Sequence, residues 1–194
     1  MNAAVRVVLA SASPRRAELL LAAGLAFETL AVDVDEAVRP GEASKEYVRR
    51  LASEKSARAQ QMLVDGFGRN DAIVIGADTA VVIDGEILGK PADDRDAERM
   101  LRRLSGRRHD VITGVHVRRG AVELDRLETT AVYFNVLADE DVAWYVASGE
   151  GRDKAGSYAI QGLASRFIPR IEGSYANVVG LPVESVFEML RALR

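Results

Sequence analysis

Lys55 lies four residues after Leu51 and four before Ala59, so on a helix it falls inside the apolar stripe those residues mark. A lysine there either runs its stem out to water or meets a buried anion. Asp78 follows the apolar run Ala72-Ile-Val-Ile-Gly-Ala77, and open α/β sheets gather ligand sites at the carboxyl ends of such strands. A carboxylate is expensive to bury there without a metal or hydrogen bonds, although a capping or turn aspartate would find its bonds in nearby backbone N–H groups. Thr79 adds a hydroxyl beside it, and Lys90-Pro91 opens a later loop. Asp33, Asp35 and Glu36 form an acidic cluster that a solvated loop could carry. Magnesium needs only one or two carboxylates when substrate phosphates supply the remaining oxygens.

Ser11-Ala-Ser-Pro-Arg-Arg16 stands where a strand hands over to a helix. Backbone N–H groups and the positive end of the dipole favour an anion at such a helix start. Arg15 and Arg16 oppose that dipole, so they are either solvated or offset by something negative. The glycine-lysine pattern of a Walker loop is missing. Gln161, in Tyr158-Ala-Ile-Gln-Gly162, carries an amide that could read a base edge or tie down its own loop. The chain has no cysteine, which removes thiol nucleophiles and thiolate metal sites. His109 and His116 fall on opposite pleat faces of one strand-like run, so zinc is not expected. Cations at three separated places, a few carboxylates and one amide suit metal-assisted attack of water on a polyphosphate.

Several elements must position these side chains. Val5–Ala10 reads as a strand, followed by a helix capped by Ser13, opened by Pro14 and stopped near Gly24. Phe27–Val32 reads as a second strand and residues 33–42 as an acidic loop. Ser44 should cap a long helix to about Leu63, with Tyr47, Val48, Leu51, Ala52, Ala59 and Met62 as its buried stripe. Ala72–Ala77 has the pattern of a doubly buried strand, and a hairpin should turn at Asp84-Gly85. Ala97, Met100, Leu101 and Leu104 mark a further helix. Strands around Asp110–Arg118 and Ala121–Val136 follow, joined at a glycine turn. A short helix over Asp139–Ala147, a glycine-rich stretch and a last helix over Pro182–Leu193 complete the chain. The expected fold is α/β, with a long curved mixed sheet and flanking helices.

The 194 residues are 48% hydrophobic and 28% charged, enough apolar material for one large domain or two small lobes. Nothing resembles a linker or an internal repeat. No segment approaches ~18 uninterrupted apolar residues, and the start is too short for a signal-peptide core. A cytoplasmic protein without membrane partners is therefore expected. The formal charge of −3 disfavours a dedicated nucleic-acid binder but permits a small anionic ligand on local cations.

At these residues the sequence resembles the Maf family of nucleotide pyrophosphatases, from about Val7 to Leu190. The resemblance rests on Ser11-Ala-Ser-Pro-Arg-Arg16, Glu54-Lys55, Gly76-Ala-Asp-Thr79, Gly89-Lys-Pro91, Thr113-Gly-Val115, Asp153-Lys-Ala-Gly156 and Gly173-Ser-Tyr-Ala-Asn-Val-Val-Gly-Leu-Pro182, in that order and spacing. It implies one domain over 1–194 with two lobes around a cleft, a fold like that of inosine triphosphate pyrophosphatases. It implies hydrolysis of a nucleoside triphosphate to the monophosphate and pyrophosphate, with dTTP and UTP indicated by the Gln161 and Gly173 segments. The resemblance makes Asp78 the proton acceptor for water, with Lys90 and Glu36 also catalytic. It assigns Ser11, Ser13, Arg16 and Lys55 to the phosphates and Arg15, Thr79 and Gln161 to base selection. Glu36 and Asp78 would hold a divalent cation, Mg²⁺ or else Mn²⁺ or Co²⁺. The substrate would be the only required partner, with a homodimer left open. Clearing of non-standard nucleotides or control of cell division would be the wider role, and a non-catalytic regulator of septum formation is the rival reading. Gly151-Arg152 departs from the pattern, since relatives often carry proline before Asp-Lys.

Overall fold

Strand β1 (Val7–Ala10) is buried along its whole length and leads through a short turn into helix α1 (Pro14–Ala22), in a computed structural model that describes residues 5–67 and 71–193. Pro14 fills the first helical position, where its missing N–H is no loss. Ser13 precedes it with extended backbone, but its hydroxyl makes no capping bond. The turn is held instead by Ser11, whose Oγ accepts the Ser13 N–H at 3.1 Å. The chain leaves α1 through Gly24, in the left-handed region at φ 77°. Strand β2 (Glu28–Thr29) pairs parallel with β1 and is far shorter than the apolar stretch suggested.

Helix α2 (Ser44–Phe67) begins one residue earlier than expected, because the Ala43 carbonyl already accepts the Tyr47 N–H at 2.9 Å. Its buried face is Val48, Leu51, Ala52, Lys55, Ser56, Ala59 and Leu63. Tyr47 and Met62, expected in that stripe, are only half-buried. Strand β3 (Ile73–Ile83) pairs parallel with β1, Val7 opposite Ile73 through Ala10 opposite Gly76. It is one strand of 11 residues, so Asp78 lies mid-strand rather than at its end. Strand β4 (Glu86–Leu88) returns antiparallel through Asp84 and Gly85, both left-handed at φ 53° and 78°, as a two-residue hairpin demands.

Helix α3 (Asp94–Leu104) is capped by Asp93, whose carboxylate accepts the Asp96 N–H at 2.8 Å. Strands β5 (Arg108–Arg119) and β6 (Val122–Tyr133) are joined through Gly120 at φ 59°. Helix α4 (Asp139–Ser148), strand β7 (Arg170–Glu172), helix α5 (Tyr175–Val179) and helix α6 (Val183–Ala192) follow. Strand order is β2-β1-β3-β5-β6-β7, with β4 beside β3, so the mixed α/β class is observed.

The chain divides into two compact units. The first holds residues up to Asp78, Thr113–Glu128 and Gly180–Arg194; the second holds Thr79–Ile112 and Thr129–Val179. The first has an apolar core of Leu9, Leu20, Ile75, Val115, Leu181 and Met189 with their neighbours, and a smaller cluster around Val8, Val74 and Ala59. Leu88, Leu101, Leu104, Val132, Tyr145 and Phe167 centre the core of the second. No helix among the described residues is long and apolar enough to cross a membrane.

His109 belongs to the second core, edge-on to Phe134 and Tyr158 with ring centroids 5.2 and 5.4 Å away. Its Nε2 lies 2.8 Å from the Tyr158 hydroxyl, and its Nδ1 has no hydrogen-bond partner among the described residues. Burial, with Arg108 adding to it, pushes this imidazole down to about 3 from 6.5. Below the unfolded value the unfolded chain takes up a proton that the fold refuses. The neutral imidazole therefore contributes fully above 6.5 and loses that contribution as pH falls toward 3, at up to ~1.4 kcal/mol per pH unit. Urea unfolding at about pH 7.5 and about pH 5 should show a loss on acidification that His109→Phe reduces by about 1–2 kcal/mol. An equal loss in both proteins would place the titration elsewhere.

Candidate active site

Lys55 does not reach for water. Its Nζ lies 2.7 Å from Glu36 Oε1 and 2.7 Å from Asp78 Oδ1, and the Lys55 and Asp78 side chains are each only 10% exposed. Of the two fates open to a lysine in an apolar stripe, the structure shows the buried anion, Asp78, and adds an exposed one, Glu36. Helix α2 brings the ammonium, β3 brings Asp78, and the loop before α2 brings Glu36, whose side chain is 47% exposed.

Glycine makes this meeting geometrically available. A Cβ at Gly76 would stand 2.2 Å from the Ala52 carbonyl oxygen and 2.8 Å from the Ser56 nitrogen. One at Gly114 would stand 2.5 Å from the Val48 oxygen. Helix α2 thus lies on β3 and β5 with backbone against backbone, and Lys55 lies within the seated turn, between Ala52 and Ser56.

The Glu36 loop is fastened by α2 through its carbonyls. Arg50 Nη1 donates to Asp35 O at 3.2 Å and its Nη2 to Ala37 O at 3.0 Å, while the Tyr47 hydroxyl donates to Glu36 O at 3.1 Å. Arg50 is itself held by Glu42 at 2.6 Å, a pairing that brings the Glu42 carboxyl down to about 2. Tyr47 is pushed up to about 12, chiefly by burial and then by Asp78 and Glu36 nearby, and so remains a donor. Sequence reasoning missed both residues, having counted Tyr47 as core. Asp33 is exposed.

Arg16 is buried and braces the same region. Its Nε donates to Gly180 O at 2.8 Å, and its Nη1 donates to Ala77 O at 2.9 Å and Ser11 Oγ at 3.3 Å. Burial lowers its pKa, with Asp78 acting in the opposite direction. Arg16 therefore has a structural task that the sequence did not reveal, and Arg15 and Ser13 are partly exposed beside it.

Thr79, Lys90 and Gln161 belong to the second unit. Thr79 is half-buried in β3, Lys90 is exposed in the loop before α3, and Gln161 is exposed in a tight turn. Gly89, next to Lys90, accepts the Gly156 N–H at 3.0 Å. Gly151 is buried, and a Cβ there would stand 2.3 Å from the Ser157 oxygen, so close backbone approach accounts for glycine at this departure from the family pattern.

The donor chemistry fits a hard divalent cation. Glu36 and Asp78 are carboxylates gathered on one lysine, which bonds a single oxygen of each. Among the described residues no group of three or more His, Cys, Asp or Glu side chains could hold a metal. The remaining ligands would have to be water and phosphate oxygens, the usual arrangement for magnesium on a nucleotide.

The family model described as Maf-like protein matches residues 6–193. A dTTP/UTP pyrophosphatase of Anaeromyxobacter sp. (strain Fw109-5) is 52% identical over 193 residues, covering 97% of this chain and 89% of that protein. One from Geotalea uraniireducens is 50% identical over 196 residues, covering 100% and 97%. One from Methylococcus capsulatus is 48% identical over 189 residues, covering 97% and 91%. The solved Ham1 protein of Staphylococcus aureus shares the fold at a TM-score of 0.50 and 13% identity, covering 97% of this chain and 100% of that one.

Gly76→Ala forces α2 off β3 at Ala52 and Ser56, on either side of Lys55. It should lower stability by about 1–3 kcal/mol, the scale of overpacking against rigid backbone. Chemical denaturation measures this, and an unchanged midpoint would mean that the helix can shift at no cost.

Proposed function

The chain belongs to the Maf family, and from that membership we propose that it hydrolyses nucleoside triphosphates between the α- and β-phosphates, dTTP and UTP foremost. The observation that carries this reading is the Lys55 ammonium shared by Glu36 and Asp78, two carboxylates and a cation gathered from three chain segments. The relatives named dTTP/UTP pyrophosphatase support the substrate class.

In this mechanism Asp78 accepts a proton from water as the oxygen attacks the α-phosphorus. The bond from that phosphorus to the bridging oxygen breaks, and pyrophosphate leaves with the electron pair. Lys55 orients Asp78 and Glu36 and offsets charge on the phosphates. The start of α1, with Ser11, Ser13 and Arg16, adds N–H groups and positive dipole toward the triphosphate. Lys90 contributes a further cation to the leaving group. A divalent cation held by Glu36, Asp78 and phosphate oxygens would supply Lewis-acid charge neutralisation. Gln161, with Arg15 and Thr79, selects the base. An amide has donors and an acceptor, and uracil and thymine offer an N3–H flanked by carbonyls, whereas cytosine offers an acceptor at N3.

Early products from UTP should be UMP and pyrophosphate, separable by anion-exchange chromatography. UDP with orthophosphate would contradict the assigned bond.

Asp78→Asn should lower kcat by at least ~10²-fold in steady-state kinetics, the scale of general-base catalysis. Near-normal turnover in the folded variant would transfer the role to another group, Glu36 first.

A further inference from the structure

Gln161 stands at the tip of a tight turn closed by the Gly162 N–H on Ala159 O at 3.1 Å. Its side chain is exposed and has no hydrogen-bond partner among the described residues, so the amide does not tie down its own loop. Tyr145 and Glu150 do. The buried Tyr145 hydroxyl accepts the Ala159 N–H at 3.1 Å and donates to Glu150 Oε2 at 2.8 Å. Glu150 in turn accepts the Leu163 N–H, at 2.9 Å on Oε1 and 3.0 Å on Oε2. One carboxylate and one phenol thus hold both flanks of Gln161 through backbone groups.

The surroundings fit this arrangement closely. Gly149, left-handed at φ 72°, turns the chain out of α4, and the Ser148 hydroxyl accepts the Glu150 N–H at 3.2 Å. A Cβ at Gly162 would stand 2.0 Å from Glu150 Oε1, so the carboxylate fills space that only glycine leaves. Burial, and then the Glu150 contact, raises the Tyr145 hydroxyl well above the usual phenol range, which keeps it a donor. Bonds to a carboxylate are stronger than those between neutral groups, so the turn is stiff where the amide projects.

We propose that Glu150, acting with Tyr145, is a positioning residue for base selection, fixing turn 158–163 so that Gln161 offers its amide to a pyrimidine edge in one orientation. The inference rests on the base-reading role of Gln161 proposed above.

The test is kcat/KM for UTP and CTP in the protein itself and in Gln161→Ala, Glu150→Ala, Glu150→Gln, Gly162→Ala and the Glu150→Ala/Gln161→Ala double variant, with circular dichroism to check folding. Glu150→Ala should narrow the UTP-to-CTP ratio by roughly 5-fold or more, mainly through KM for UTP, while activity on CTP changes little. Glu150→Gln keeps an acceptor for Leu163 and should restore most of the ratio. Gly162→Ala displaces the carboxylate from the other side and should narrow the ratio even if Glu150→Ala does not fold. The double variant should narrow it no further than Gln161→Ala alone. If Gln161→Ala narrows the ratio and folded Glu150→Ala and Gly162→Ala do not, or if they weaken both nucleotides equally, the positioning role is overturned while base reading stands. If Gln161→Ala leaves the ratio intact, base reading falls, and the positioning role falls with it.

Discussion

The seating of α2 on β3 and β5, with backbone against backbone at Gly76 and Gly114, is the constraint from which the geometry around Asp78 follows. A helix held off by even a methyl group would carry Lys55 away from its two carboxylates. Contact between a buried ammonium and a buried carboxylate is worth little in general unless its geometry is good, because both groups have left water. Here the geometry is set by elements whose separation cannot relax outward without opening the apolar contacts of Val48, Leu51 and Ala59. Packing therefore does the electrostatic work.

That dependence also explains which parts of the site could be read from the sequence. Lys55 was legible because a cation at an apolar helical position demands a partner, and Asp78 because a carboxylate in a buried strand does too. The strand itself was misjudged. Its pattern seemed to end at Asp78 because polarity ended it, whereas β3 runs on to Ile83 with only Thr79 less than buried. The bracing roles of Tyr47, Arg50 and Arg16 escaped because they are played on carbonyl oxygens, which every residue possesses and no residue type advertises. Ser13 has the cap position without a capping bond, and Ser11 holds the turn before the helix instead by accepting the Ser13 N–H. The helices and hairpin turns were legible where Gly24, Asp84-Gly85 and the spacing of Ala97, Met100, Leu101 and Leu104 left their local signals. The length of β2 was not, since apolar spacing does not say how many residues find a partner strand.

The second unit handles polar burial differently. Its aromatic core holds hydroxyls and an imidazole bonded to one another and to backbone, with His109 Nδ1 left without a partner among the described residues. Tyr158 pairs with His109, and Tyr145 with Glu150 and Ala159. Such networks fix one arrangement because any other leaves a donor stranded in a dry interior. The turn bearing Gln161 inherits that uniqueness from Tyr145 and Glu150, which bond its backbone on both sides.

The fastening of the Glu36 loop has a further consequence, for how this segment can change over time. Arg50 and Tyr47 grip the carbonyls of residues 35, 36 and 37 and ignore the side chains of Asp35 and Ala37. A change at Ala37 leaves that grip and Glu36 in place, whereas the Asp35 carboxylate also accepts the Ala37 N–H at 3.0 Å and so shares in shaping the turn. The burden of inheritance extends to α2, where a phenol and a guanidinium spaced three residues apart must persist together.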